Sequence, residues 1–153
     1  MSVDAVKRFF EEKAPDIRII EHPQSTATVA QAAAALGVAE AQIAKTLALH
    51  LSDSVALFVI AGNIRMDNQK FKAAFGVKPR MLLAEQTLAL TGHPVGGVCP
   101  FAVDGDMKIY CDVSLRAHAE IYPAAGSPNS AVRLSPDRLV QLVGAQWTDI
   151  GKA

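Results

Sequence analysis

Apolar residues of this chain fall first into a helical rhythm and then into runs that suit strands. Val3, Val6, Phe9 and Phe10 recur at i, i+3, i+6 and i+7, with Lys7, Arg8, Glu11 and Glu12 between them. That spacing predicts an amphipathic helix ending near Pro15. A short apolar run at 17–21 predicts a strand. Thr28 is placed to cap a helix over 30–36 that stops at Gly37, and 38–43 suits a helical turn. Two β-rich runs, 45–51 and 55–61, flank Ser52-Asp53-Ser54 and predict a hairpin. Asp67 opens a helix over 68–75 stopped by Gly76, 78–81 suits a short strand, and 84–90 a helix stopped by Gly92. Further strands are predicted at 108–113, 120–122 and 131–134. Ser135 caps a last helix over 136–143, with Pro136 at its favoured first position, and 146–150 closes the chain as a strand. Helices and strands mix without regular βαβ alternation. The pattern predicts a single α+β domain with a mixed, mostly antiparallel β-sheet flanked by helices.

Composition narrows the class of partner. A chain of 153 residues buries roughly two-thirds of its unfolded surface as one domain. Half of it is hydrophobic and a fifth charged, which excludes a disordered chain. Lys+Arg and Asp+Glu balance at 15 each, so no global basic field gathers nucleic acid. DNA is not expected, and any RNA contact is local, neutralising few phosphates. The longest apolar stretch, 55–62, is far short of a membrane span, and the first residues lack the apolar region of a signal peptide. These features predict a cytoplasmic protein with no membrane partner. Cys99 and Cys111 lie 12 residues apart with no second pair and no suitably spaced His cluster. This spacing fits neither the usual zinc frameworks nor a CxxC redox centre, so free buried thiols are expected, with no metal and no cofactor.

Two features carry candidate chemistry. The stretch Gly92-His93-Pro94-Val95-Gly96-Gly97-Val98-Cys99-Pro100-Phe101 holds three glycines and two prolines. Glycine permits close backbone approach and proline stiffens, so the loop can be a plain turn or a rigid presenter of main-chain N–H and C=O groups. The other feature is Lys45, a lone cation opening an apolar run. A strand-end lysine often packs its stem and sends its ammonium to water. The same cation can also stabilise negative charge developing on a substrate.

Lys45-Thr46-Leu47, Ala61-Gly62-Asn63-Ile64-Arg65-Met66-Asp67, Gly96-Gly97-Val98-Cys99-Pro100-Phe101 and Gly126-Ser127-Pro128-Asn129 stand in an order and spacing that resembles the YbaK/ProX family. These are free-standing relatives of the editing domain inserted in bacterial prolyl-tRNA synthetases. The resemblance covers nearly the whole chain and implies one editing domain over residues 1–153. It implies a trans-acting aminoacyl-tRNA deacylase, which cleaves the ester between a wrong, small amino acid and the 3′ end of a tRNA, tRNA(Pro) in the first place. Such editing is needed because a synthetase pocket gains only about 1–3 kcal/mol of discrimination per methylene. The implied partners are the aminoacyl-tRNA acceptor end and prolyl-tRNA synthetase. In the family the lysine matching Lys45 lies where the terminal adenosine enters, and the loop matching Gly96-x-x-x-Pro100 lines the amino-acid side.

The expected catalytic set is therefore Lys45 with the backbone groups of Gly96, Gly97 and Val98 as oxyanion donors. Cys99, Pro100, Asn129 and His22 are expected at the substrate, and Arg65 and Lys70 at the RNA. Cys99 as a nucleophile would need activation, for which His93 is the one candidate nearby in the sequence, but the resemblance implies serine or threonine at this place, so Cys99 is read as a wall residue. Attack assisted by the substrate's own ribose hydroxyl needs no protein base. Cysteine-specific members carry polar residues where this chain has Ala124 and Ala131, and Gly126-Ser127-Pro128-Asn129 replaces their glycine- and basic-rich turn. The amino acid thus stays open among alanine, serine, threonine or an analogue. Two other readings stand beside the deacylase: a non-catalytic aminoacyl- or nucleotide-binding or synthetase-docking module, and a small-ester hydrolase without RNA. The absence of a Gly-x-Ser-x-Gly elbow counts against the last.

Overall fold

The computed structural model describes residues 2–153. In chain order the elements are α1 (Ser2–Lys13), β1 (Ile20–Glu21), α2 (Val29–Leu36), β2 (Ile43–His50), β3 (Val55–Ala61), β4 (Arg65–Met66), α3 (Asn68–Phe75), α4 (Ala84–Thr91), β5 (Lys108–Asp112), β6 (Tyr122–Pro123), β7 (Ser130–Ala131), α5 (Pro136–Val143), β8 (Gln146–Thr148) and β9 (Gly151–Lys152). Short 3₁₀ turns occupy Glu40–Gln42 and Val113–Ala117. Local chemistry sets the helix ends. Thr28 and Gln31 form a reciprocal capping box at α2, Asp67 accepts two N–H groups at α3, and Ser135 caps α5 ahead of Pro136. Helices α2 to α5 stop at Gly37, Gly76, Gly92 and Gly144.

The hairpin β2–β3 forms the middle of a five-stranded sheet in the order β6-β2-β3-β5-β8. β3 is buried along nearly its whole length, as its unbroken apolar run requires of a strand covered on both faces. On one face Leu57, Val59 and Ala61 pack with Val6 and Phe10 of α1 and Leu139 of α5. On the other, Ala56 and Phe58 meet Leu49, Ile150 and Phe71 of α3. Helix α1 also fixes the end of the Gly/Pro loop, since the Phe10 and Phe101 rings stack edge to face with centroids 4.7 Å apart.

The mixed α+β architecture is as expected, and its strand pairings run in both directions. Within the five-stranded sheet, β2 and β3 are antiparallel while β6·β2, β3·β5 and β5·β8 are parallel. Antiparallel pairing also appears in the two small ladders β1·β7 and β4·β9 and in isolated bridges such as Ile121 to Leu134. Connections that contain helices return β5 parallel to β3 and β8 parallel to β5, while β6 runs the opposite way, parallel to β2. Residues 78–81 make only an isolated bridge, Met81 to Leu49, because Pro79 has no N–H to extend a ladder. The closing strand divides in two. Ile150 sends its N–H to Asp112 Oδ1 at 2.7 Å and accepts the Asp67 N–H at 2.7 Å, which turns the chain from β8 into β9. Among the described residues no helix is long and apolar enough to cross a membrane.

Candidate active site

β6 covers β2 only at Ile43 and Ala44, and near the other end Leu49 bridges Met81. Between them the strand edge is open, and a cavity of about 310 Å³ lies against it. Its walls come from Lys45 and Thr46 on β2, residues 26–29 at the start of α2, the Gly/Pro loop at Val95, Gly96 and Val98, and Ala124, Ser130 and Ala131. Alternation along β2 decides which main-chain groups meet it. The Gly62 N–H reaches Ile43 O at 2.7 Å and the Leu51 N–H reaches Ser54 O at 2.7 Å, so odd positions bond towards β3 and even positions face away. His50 spends its N–H on Arg80 O, and Ala48 O accepts the Leu82 N–H. Thr46 is left with both main-chain groups at the open edge, unpaired among the described residues. Its side-chain Oγ1 is likewise buried without a partner.

Lys45 lines the same cavity. Its Nζ donates to Ile64 O at 2.7 Å, and burial holds its ammonium below the ordinary lysine value. An ammonium carries three donors, so two remain for a ligand. The Gly/Pro loop opposite is held by its own backbone. Gly97 donates its N–H to Pro94 O at 2.9 Å, and its carbonyl accepts the Gly126 N–H at 3.1 Å. Both main-chain groups of Gly97 are therefore engaged, and it is not in the cavity wall, contrary to its expected place among the oxyanion donors. Gly96 and Val98 do line the wall, and neither N–H is taken by another described residue. Gly96 has φ +92°, a conformation that favours glycine. The loop at residues 126–130 braces the other side: Thr26 donates its N–H and Oγ1–H to Pro128 O at 2.5 and 3.2 Å.

Residues 23–142 match the model of a known family, the aminoacyl-tRNA editing domain. The chain belongs to that family. The match agrees with the YbaK/ProX resemblance of its four motifs. It is 40% identical to an uncharacterized protein of Bacillus subtilis (strain 168), YwhH, over 99% of this chain and 98% of that one. It is also 34% identical over 95 residues to a proline–tRNA ligase of Shouchella clausii (strain KSM-K16), covering 61% of this chain and 17% of the ligase. Among solved structures, a candidate trans-editing enzyme for prolyl tRNA synthetase superposes with a TM-score of 0.91 at 31% identity, covering 99% of this chain and 98% of the other. The hypothetical protein APE2540 superposes with a TM-score of 0.88 at 32% identity, covering 97% and 99%.

Other residues expected at the site of this editing domain do not line the cavity. Pro100 is buried and does not line the cavity. Asn129 donates Nδ2–H to His22 O at 2.8 Å, while the His22 N–H reaches Asn129 O at 2.8 Å. The two residues clip neighbouring loops together, and neither lines the cavity; His22 Nε2 is buried without a partner. Lys70 ties α3 to the chain end through Asp149 Oδ1 at 3.1 Å and Gly151 O at 2.9 Å. Arg65 is exposed on β4, next to the carbonyl that holds Lys45. Thr46 is the wall residue that the sequence reading overlooks. A threonine inside an apolar strand reads as ordinary β-propensity, and only the pairing shows the open edge.

Cys99 is fully buried and lies outside the cavity wall. Burial pushes its thiol up to about 12, so no thiolate forms near neutral pH. His93, also buried, approaches Cys99 Sγ at 3.5 Å through Nε2. That nitrogen donates to Phe101 O at 2.7 Å, which leaves Nδ1 as the acceptor for the Ser2 hydroxyl. Neither nitrogen is free to take a thiol proton. Cys99→Ser is therefore expected to keep deacylation within about threefold of wild type while losing about 1–2 kcal/mol of stability for the added buried hydroxyl. A dead but folded variant in a paired activity and denaturant assay would show that the thiol acts in the chemistry.

Proposed function

We propose that this editing domain is a trans-acting aminoacyl-tRNA deacylase that hydrolyses the ester of a mischarged tRNA, tRNA(Pro) in the first place, bearing a small amino acid. One observation carries the reading: a small cavity in which a half-buried cation, Lys45, stands beside the open edge of β2 and the uncommitted N–H groups of Gly96 and Val98. Water attacks the ester carbonyl and a tetrahedral oxyanion forms. Its collapse breaks the bond to the ribose 3′-oxygen, and the proton lost by water passes through the vicinal ribose hydroxyl to that leaving oxygen. The products are a free amino acid and an uncharged 3′ end. The protein supplies position and charge stabilisation, with the Gly96 and Val98 amides and the Lys45 ammonium facing the developing negative charge.

Thr46 supplies the polar contact to the substrate. Replacing it with valine removes a buried hydroxyl that has no partner, so the free protein should gain about 1 kcal/mol, or a few degrees in Tm. Deacylation should fall about five- to tenfold with the lost hydrogen bond. Loss of stability together with unchanged turnover would contradict that role.

The decisive experiment is a panel of tRNAs mischarged with alanine, serine, threonine, cysteine, leucine and phenylalanine. Release is expected from the small members, while leucine and phenylalanine are spared by the confined cavity. Binding without release of any amino acid would overturn the deacylase in favour of a recognition module.

A further inference from the structure

Resting on the deacylase reading, we propose that Arg65 and Lys152 form a clamp for one phosphate of the RNA strand that enters the Lys45 cavity. β4 and β9 pair antiparallel with Arg65 directly opposite Lys152, and both side chains are exposed. Like charges directly opposite each other destabilise a strand pair. This ladder has only two residue pairs, Arg65↔Lys152 and Met66↔Gly151, so half of it carries repulsion. Neither cation has an ion-pair partner among the described residues. A single anion held between them converts that repulsion into shared attraction. Opposed Cβ atoms lie about 5 Å apart, close enough for a guanidinium fork and an ammonium to converge on one phosphate.

The clamp joins the site already described. Ile64, the residue before Arg65, holds the Lys45 ammonium through its carbonyl. Its backbone is fixed in advance. At Gly151 an added Cβ would meet Ile64 Cγ2 at 2.4 Å, and Lys70 grips the Gly151 carbonyl at 2.9 Å. The local charge still leans towards an anion: Lys45, Arg65, Lys70 and Lys152 stand near the carboxylates of Asp67, Asp149 and the buried Asp112, and Asp112 already accepts the Ile150 and Ser114 N–H groups. Asp67 is committed as the α3 cap. Its carboxyl is held below the usual range first by the Lys70 N–H, then by the Gln69 N–H and the charges of Lys152 and Lys70.

The test uses an uncharged RNA hairpin with the single-stranded 3′ end of a tRNA, its affinity read against salt for wild type, Arg65→Gln, Lys152→Gln and the double variant. Each single variant should weaken binding about five- to tenfold at low salt. The double variant should flatten the log–log salt slope by about 0.7 to 0.9, the change for one lost phosphate contact. Melting temperatures should stay equal or rise, since repulsion is removed. Hydrolysis of the same amino acid esterified to adenosine alone, which lacks that phosphate, should be unchanged, while KM for mischarged tRNA rises. A double variant with wild-type affinity and slope overturns the clamp while leaving the deacylase intact. A wild-type protein that releases no amino acid from any tRNA overturns the deacylase instead.

Discussion

Lys45→Ala is expected to lower kcat/KM for mischarged tRNA at least tenfold, about 1.4 kcal/mol of transition-state stabilisation, in a protein that still folds. The ammonium is anchored through one donor to Ile64 O and lies in the cavity wall, so its remaining donors meet whatever fills the cavity. Lys45→Met separates charge from packing, because it keeps an unbranched apolar stem against the strand. Both variants should be equally impaired if the charge matters. A wild-type rate in folded Lys45→Met would confine the lysine to packing. Burial also sets a pH signature. The folded ammonium loses its proton more readily than an ordinary lysine, so its contribution should fade as pH rises, starting below the ordinary value of 10.5. The fading limb should be absent from the Lys45→Met profile.

Gly97→Val should be more damaging, for a reason the sequence did not reveal. A glycine in such a loop invites the reading that a side chain would fill the cavity and oppose a positive φ. In the structure φ is positive at Gly96 instead, and Gly97 is buried against the neighbouring loop. A Cβ at Gly97 would lie 2.6 Å from Ser127 N and 2.8 Å from Gly126 C, and backbone atoms cannot rotate out of the way. The two loops must part, and the Gly126 N–H bond to Gly97 O parts with them. Gly97→Ala should suffice, destabilising by about 1–3 kcal/mol, with valine worse. Because the damage moves the Gly96–Val98 wall itself, every member of the mischarged panel should lose at least tenfold, alanine included. Gly105→Ala, where a Cβ meets nothing within 4 Å, is the matched control and should behave as wild type. Normal rates for Gly97→Ala would mean that the contact between the loops is dispensable.

What could be read from the sequence was what neighbouring residues decide among themselves. Thr28 with Gln31, Asp67, and Ser135 with Pro136 announce helix starts through chemistry complete within four residues. The β2–β3 hairpin likewise closes across a short polar turn. The parallel strands were not legible, because the register of β5 on β3, or β8 on β5, depends on partners dozens of residues away. The site divides along the same line. Lys45 stood out as a cation in an apolar run, and the Gly/Pro loop by its composition. Polar loop residues misled, because Asn129 and His22 spend their groups joining one loop to the next. Thr46 and Lys152 carried no local signal, since their standing comes from an open strand edge and from a cross-strand partner.

The opening in the edge of β2 also bears on association through strand edges. Unpaired strand edges act as templates for another chain, and exposed ones invite aggregation. Here the template is cut to a stub. β6 closes one side of the opening and the Arg80–Leu82 contacts close the other, so that on this edge both main-chain groups are unpaired only at Thr46 among the described residues. Pro123 and Pro79, which cannot donate an N–H, stand in the two flanking segments. An intruding strand needs several successive pairs to be stable, and this gap admits about one. The bare backbone at this opening is thus too short to nucleate a sheet shared with a second molecule.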